Sequence, residues 1–276
     1  MDNYQTRDGL NLPQIGFGTY KLNGTMGAEA ISSAIGNGYR LLDSAYNYEN
    51  EGALGAGIRR SGARRDELVV TSKLPGRYYQ YEQAINAIQE SLFRSQLDHF
   101  DLYLLHWPNP KRNMYVEAWQ ALIAAQKFGL VRHIGVCNFL PEHIDRLENE
   151  TGVLPVVNQI ELHPYFNQAA MRAYDQQKGI LTEAWSPLGR ASQVLTEPVL
   201  QKIARAHQKS VGQVILRWDL QLGVLPIPKS QHSRRQRENL QLFDFKLTAA
   251  EMDAINALTR ADGRNKNQDP AVYEEF

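Results

Sequence analysis

The chain has 276 residues, 43% of them hydrophobic, and its 30 lysines and arginines balance 30 aspartates and glutamates. That length can bury a large core within one domain. The charge balance leaves no long-range field to draw nucleic acid or a membrane surface, so a small molecule is the expected partner.

The amino-terminal "MDNYQTRDGL" has no basic stretch followed by an apolar one, and no apolar run approaches the ~20 residues that span a bilayer. The single cysteine, Cys137, excludes an internal disulfide and fits a reducing compartment, so a cytoplasmic protein is expected. In chain order, "TRDGLN" reads first as a hairpin with Asp8-Gly9 at its turn. Eight short apolar runs follow: "PQIGFG", "RLLDS", "ELVVTSK", "FDLYLLH", "RHIGVCN", "PVVNQIE", "ILTEAWS" and "GVLPIPKS". Several are apolar on both faces, as parallel strands covered on each side are.

Between these runs lie helical patterns. Ile85, Ile88 and Leu92 recur at helical spacing, as do Val211, Val214, Ile215 and Trp218. Glycines punctuate the ends in "GNG", "FGL" and "KG". Strands alternating with helices predict a (β/α)₈ TIM barrel with a short N-terminal β-hairpin, a single domain over residues 1–276. A doubly wound dinucleotide fold is the competitor, but "GFGTYK" puts Lys21 where its third phosphate-loop glycine belongs.

Each run from the second to the eighth ends near a polar or ionisable group: Asp43, Lys73, His106, Asn138, Gln159, Ser186 and Lys229. Taken singly, such residues are usually turn formers or helix caps. In a barrel these strand ends converge on one face, where active sites are built. Tyr48 follows Asp43 closely and can give a proton to a carbonyl oxygen, although a free phenol with a pKa of about 10 does so reluctantly. A lysine ammonium nearby favours the phenolate, which Lys73 supplies if Asp43 holds it. His106 offers a ring nitrogen to orient the carbonyl. The set lacks a nucleophile, and a hydride donor completes its chemistry.

"LLDSAYNYENE", "VVTSKL", "LYLLHWP", "IGVCNF", "NQIELHP", "WSPLG" and "IPKSQHSRRQRENL" resemble, in order, the motifs of the aldo-keto reductase family. The short loop in "HWPNPKRNMYVEAW" is similar to compact bacterial members such as 2,5-diketogluconate and methylglyoxal reductases. The resemblance implies an NADPH-dependent oxidoreductase for small aldehydes and ketones that uses no metal. It implies Tyr48 as general acid, Lys73 as modulator of its pKa, Asp43 as the partner of that lysine, and His106 as the residue orienting substrate. Asn138 and Gln159 are implied to hold the nicotinamide carboxamide, Trp185 to stack on its ring, and Ser186 and Leu188 to line the pyrophosphate path. Lys229, Ser230 and Arg235 match positions gripping the 2′-phosphate, and Glu238 and Asn239 match positions near the adenine. Arg234 and Arg237 read as the solvated face of that helix.

Two positions depart from the family pattern. Cys137 stands where serine is common, and a thiol is the weaker donor. His232 stands where a small hydroxyl residue is frequent, which leaves NADH as a secondary cofactor. Tyr20 and Trp107 match aromatic walls of the substrate site. The tail "GRNKNQDPAVYEEF" is polar and too short to enclose a large ligand, so small aldehydes, α-dicarbonyls and sugar-derived ketones are the expected substrates. The family's many monomers set the expectation of a monomer. A cofactor-binding sensor subunit with slow turnover is the alternative reading, and a metal-dependent hydrolase finds no histidine in "PQIGFG" to begin a ligand set.

Overall fold

The Asp8-Gly9 turn forms where its sequence predicts it. In the computed structural model, which describes residues 3–191 and 193–275, β1 (Tyr4–Gln5) pairs antiparallel with β2 (Asn11–Leu12). Gly9 takes a φ of +92°, which side chains disfavour, and its N–H reaches the Thr6 carbonyl at 3.0 Å.

Parallel strands then follow in order: β3 (Phe17–Gly18), β4 (Leu41–Asp43), β5 (Val69–Leu74), β6 (Phe100–Leu105), β7 (Val131–Cys137), β8 (Val157–Glu161), β9 (Leu181–Trp185) and β10 (Leu225–Ile227). Each pairs with the next. The Gly16 and Gly18 N–H groups donate to the Pro226 and Pro228 carbonyls at 3.0 and 3.1 Å, joining the first strand to the last. The (β/α)₈ barrel with its N-terminal hairpin is therefore the fold. The run "PQIGFG" contributes only two paired residues as β3, and Pro13 in it has no N–H to give.

Helices α1 (Gly24–Asn37), α2 (Glu51–Ser61), α3 (Tyr81–Ser95), α4 (Tyr115–Lys127), α5 (Pro141–Thr151) and α6 (Ala169–Lys178) alternate with these strands. Two more, α7 (Pro198–His207) and α8 (Val211–Gln221), precede β10, and α9 (Ser233–Leu240) and α10 (Ala249–Asn256) follow it. The spacing read in the sequence places Val214, Ile215 and Trp218 of α8 wholly out of solvent. Ser210 opens that helix through reciprocal bonds with Gln213, its hydroxyl accepting the Gln213 N–H at 3.3 Å and its own N–H donating to Oε1 at 3.0 Å.

Strand side chains alternate between two interiors. Leu42, Val70, Leu105 and Val136 point outward into the layer shared with the helices. Leu41, Leu102, Leu104, Val157 and Leu225 point into the barrel, where Leu10 and Leu12 of the hairpin close its amino-terminal end. Burying each such leucine contributes about 2 kcal/mol. Toward the carboxyl ends the barrel interior turns polar, with Asp43, Lys73, Gln159 and Glu183 all buried.

Close backbone approach fixes one of the helix contacts. A Cβ on Gly55 of α2 would stand 1.8 Å from the Ser95 carbonyl oxygen at the end of α3, whereas one on Gly52 would meet the Arg94 carbonyl at an ordinary 3.6 Å. Gly55→Ala is expected to cost about 2 kcal/mol or more by forcing the helices apart. Gly52→Ala is expected to be neutral or to stabilise by up to ~1 kcal/mol. Urea unfolding of the two variants checks this, and equal stabilities would remove the proposed clash.

Candidate active site

Asp43 ends β4, and Lys73 lies near the end of β5, both facing into the barrel. The Lys73 side chain is 0% exposed, and its ammonium donates to Asp43 Oδ1 at 2.7 Å, Asp43 Oδ2 at 2.8 Å and the Ser44 carbonyl at 2.7 Å. Three donors meet three acceptors. Burial works against the charge on Lys73, but the charges of Asp43 and Tyr48 outweigh it and hold the pKa above the ordinary lysine range.

Tyr48 sits on a single 3₁₀ turn, Tyr46–Tyr48, directly after β4. Buried Asn50 anchors that loop: its Nδ2 donates to the Thr19 and Leu22 carbonyls at 2.7 and 3.2 Å, and its Oδ1 accepts the Ser44 hydroxyl at 2.8 Å. Asn23 Nδ2 donates to the Tyr48 carbonyl at 3.0 Å. So held, the Tyr48 ring centre lies 5.1 Å from Lys73 Nζ and 5.9 Å from the His106 ring. Burial pushes the Tyr48 phenol above its ordinary pKa, while the Lys73 ammonium pulls it down.

His106 continues the β6 pairing, its N–H donating to the Leu74 carbonyl at 3.0 Å. Two aromatic walls flank the pair. Tyr20, 43% exposed, lies 5.0 Å from the Tyr48 ring, and Trp107, 6% exposed, lies 4.5 Å from the ring of Tyr273. The structure thus brings Asp43, Tyr48, Lys73, His106, Tyr20 and Trp107 around one end of the barrel.

Asn138, Gln159 and Trp185 meet beside them. Gln159 Nε2 donates to Asp43 Oδ2 and to Glu183 Oε2, both at 2.9 Å, and among the described residues its Oε1 has only the Cys137 thiol, at 3.9 Å. Asn138 Nδ2 donates to the His106 carbonyl at 3.1 Å, and its Oδ1 accepts the Trp185 indole N–H at 2.7 Å. Asn138 and Ser186 both take left-handed backbone angles, φ +64° and +52°, at the ends of β7 and β9. Such angles are uncommon away from glycine and recur where a site needs a side chain re-aimed. Leu188 follows Ser186, half-buried, and stands near the first turn of α8.

The last group gathers where β10 runs into α9. Lys229 and Arg235 are exposed, Glu238 is half-buried, and Ser230 and Asn239 are buried. The Ser230 hydroxyl is engaged with its own loop, donating to the His232 carbonyl at 3.3 Å and accepting the His232 N–H at 3.1 Å. Burial first, then the nearby charge of Lys21, lowers the pKa of Lys229. Among the described residues, no carboxylate lies within ion-pair distance of Lys21, Lys229, Arg234 or Arg235. The α9 helix also opens without a side-chain cap, so its first N–H groups are free for an anion. This unbalanced set of donors fits a phosphate-bearing cofactor such as NADPH.

Several site residues carried no signal in the sequence. Glu183 lies wholly buried beneath Gln159, its carboxyl pushed up to about 8 by burial and then by the charge of Asp43. Its "TEAW" context reads as plain strand. Glu275, in the tail read as polar and too short to enclose a large ligand, reaches back to within 2.7 Å of His106 Nδ1. Cys137 faces the barrel interior, and burial drives its thiol well above the ordinary pKa, which makes it inert. No group of three or more His, Cys, Asp or Glu residues among those described is placed to hold a metal ion. Nor is any described helix long and apolar enough to cross a membrane.

Residues 14–260 match the model of the Aldo/keto reductase family. The chain is 50% identical over 269 residues to the 2,5-diketo-D-gluconic acid reductase B of a Corynebacterium species, covering 98% of this chain and 96% of that one. It is 43% identical to the glyoxal reductase of Bacillus subtilis, covering 99% and 98%. Among solved structures, a Gox0644 variant in complex with NADPH superimposes with a TM-score of 0.93 at 40% identity, covering 99% of this chain and 98% of that one. A Bombyx mori aldo-keto reductase in complex with NADP gives 0.90 at 35% identity, covering 99% and 98%. With the family matched over residues 14–260, and relatives of this identity spanning nearly the whole of both chains, this protein belongs to the aldo/keto reductase family and is an NAD(P)H-dependent oxidoreductase.

Proposed function

We propose that the chain reduces small aldehydes and α-dicarbonyls to alcohols with NADPH, with Tyr48 giving the proton. The observation that carries this reading is the fully buried Lys73 ammonium, saturated by Asp43 and Ser44 and held 5.1 Å from the Tyr48 ring. Reduced nicotinamide, when bound, supplies hydride to the carbonyl carbon.

The chain's own residues handle the oxygen. A phenol whose pKa is raised by burial is a poor donor to a neutral carbonyl. It becomes a good one as the oxygen gains alkoxide character, because an alkoxide is a far stronger base than a phenolate. The Lys73 ammonium then stabilises the phenolate left behind, so the proton moves only when charge has developed. His106, edge-on to Tyr48, fixes the direction from which the oxygen approaches. Tyr20 and Trp107 wall the site with apolar surface and limit water.

Cofactor recognition divides along the mouth. Asn138, Gln159 and Trp185 serve the nicotinamide end, and Ser186 and Leu188 the pyrophosphate. Lys229, Ser230 and Arg235 serve the 2′-phosphate, with Glu238 and Asn239 toward the adenine. The names of the glyoxal reductase and of the NADPH complex support this reading.

The direct experiment mixes the purified protein with NADPH or NADH and a panel containing methylglyoxal and 4-nitrobenzaldehyde, following nicotinamide absorbance. Carbonyl-dependent oxidation of NADPH is expected; tight NADPH binding with no turnover on any carbonyl would favour a sensor. In the same assay Tyr48→Phe is expected to lose at least ~100-fold in kcat, the usual scale of general acid catalysis, while NADPH affinity by fluorescence stays within about threefold. Turnover retained above a few percent would move the proton donor elsewhere. Arg235→Ala is expected to raise the Kd for NADPH by about tenfold or more, as loss of a charge-assisted bond does, and to change that for NADH less than about twofold. An equal loss for both cofactors would end the 2′-phosphate assignment.

A further inference from the structure

The C-terminal segment is clasped to the barrel mouth by contacts that aim one carboxylate inward. The Tyr273 ring packs on Trp107, and Glu274 Oε1 accepts the Lys111 N–H at 2.6 Å. Asn109 then grips the backbone of Glu275 from both sides, Nδ2 donating to its carbonyl at 2.8 Å and Oδ1 accepting its N–H at 3.2 Å. The Glu275 side chain, 9% exposed, turns toward the catalytic face. Its Oε1 accepts from Asn47 Nδ2 at 2.7 Å and stands 2.7 Å from His106 Nδ1, off the line of a good hydrogen bond. Its Oε2 accepts the Gly76 N–H at 3.4 Å.

Burial disfavours charge on this carboxyl. The close contact with His106 and the hydrogen bonds from Asn47 and Gly76 more than offset that, and its pKa falls below the ordinary value. A negative charge therefore sits against the residue that orients the substrate oxygen. Arg77 and Arg112 lie nearby: the Arg77 guanidinium hydrogen-bonds Asn47, and Arg112 Nη1 donates to the Gly76 carbonyl at 3.0 Å.

We propose that Glu275 is a specificity-determining residue that excludes carbonyl compounds bearing a carboxylate and leaves the site to neutral ones. The proposal rests on the reductase reading above and narrows its substrate class. The names of the relatives divide between an acid and the neutral glyoxal, so they do not decide the matter. Glu275 does. An acid group on a substrate seated between Tyr48 and His106 comes within reach of a second carboxylate that water does not fully screen. Like charges ~12 Å apart at an effective dielectric constant of ~20 lower occupancy about tenfold.

The test compares 4-nitrobenzaldehyde with 4-carboxybenzaldehyde, which are close in shape and differ in charge. Native protein, Glu275→Gln and Glu275→Asp are assayed with saturating NADPH, and the ratio of kcat/KM for the two aldehydes is the readout. Their intrinsic difference in reactivity cancels when the ratio is compared between proteins, as does any general loss of His106 positioning. The nitro compound is expected to be favoured by the native chain. Glu275→Gln is expected to shrink that ratio about tenfold, mainly through the KM of the acid, and Glu275→Asp to retain it. A ratio the same within twofold in native and Glu275→Gln overturns the filter while leaving the reductase standing. So does a native preference for the acid that survives in Glu275→Gln, since Arg77 and Arg112 would then set the field. No turnover of either aldehyde by the native chain overturns the reductase reading and the filter together.

Discussion

A lysine ammonium with no solvent exposure is the constraint around which the mouth of this barrel is arranged. Removing such a charge from water costs several kcal/mol, and an unpartnered lysine would shed its proton instead. Asp43 and the Ser44 carbonyl take every proton Lys73 can donate. That requires β4 and β5 to be adjacent, parallel and in one register, with Asp43 opposite Thr71 and Lys73 one inward position further along. The Tyr48 loop begins at the end of the same strand, so the distance from phenol to ammonium is set by backbone geometry and not by a flexible side chain.

Charge in the barrel balances without help from solvent. Asp43 and Lys73 cancel, and burial lifts the pKa of Glu183 to about 8, which favours its neutral form. Gln159 separates the two carboxyl groups by donating one proton to each. An amide is suited to this because it carries two donors and no charge. Below this layer Leu10 and Leu12 of the hairpin complete an apolar floor, so the polar groups face a dry side and a wet side. The low dielectric of the dry side strengthens the pull of Lys73 on the phenol.

The strands and their functional ends were legible because their signal is local. "LLDS", "VVTSK" and "YLLH" each put an ionisable residue directly after a hydrophobic run, and the barrel carries these ends to one face. The first strand was overestimated because an apolar run containing proline reads as longer than its ladder of hydrogen bonds. Glu183 was hidden because strand alternation does not say which face of a two-sided strand looks into the barrel. Glu275 was hidden for a different reason. Its partners Asn47, Gly76 and Asn109 lie 166 to 228 residues away, and "AVYEEF" has the composition of a solvated end. No window on the sequence contains both halves of such a contact.

That difference in range separates two kinds of site residue. Asp43, Lys73 and Gln159 stand on parallel strands, and altering any one disturbs the others through the side-chain hydrogen bonds they share. The last residues of the tail touch the site through loop side chains and loop N–H groups, with no pairing to any strand among the described residues. On the proposed reading, a change in the tail alters what the pocket admits while the phenol, ammonium and carboxylate keep their distances. Proton transfer then belongs to the part of the fold held by strand pairing, and the choice of carbonyl to the tail. In a barrel of fixed geometry, such a division would let one proton-transfer apparatus serve substrates of different charge.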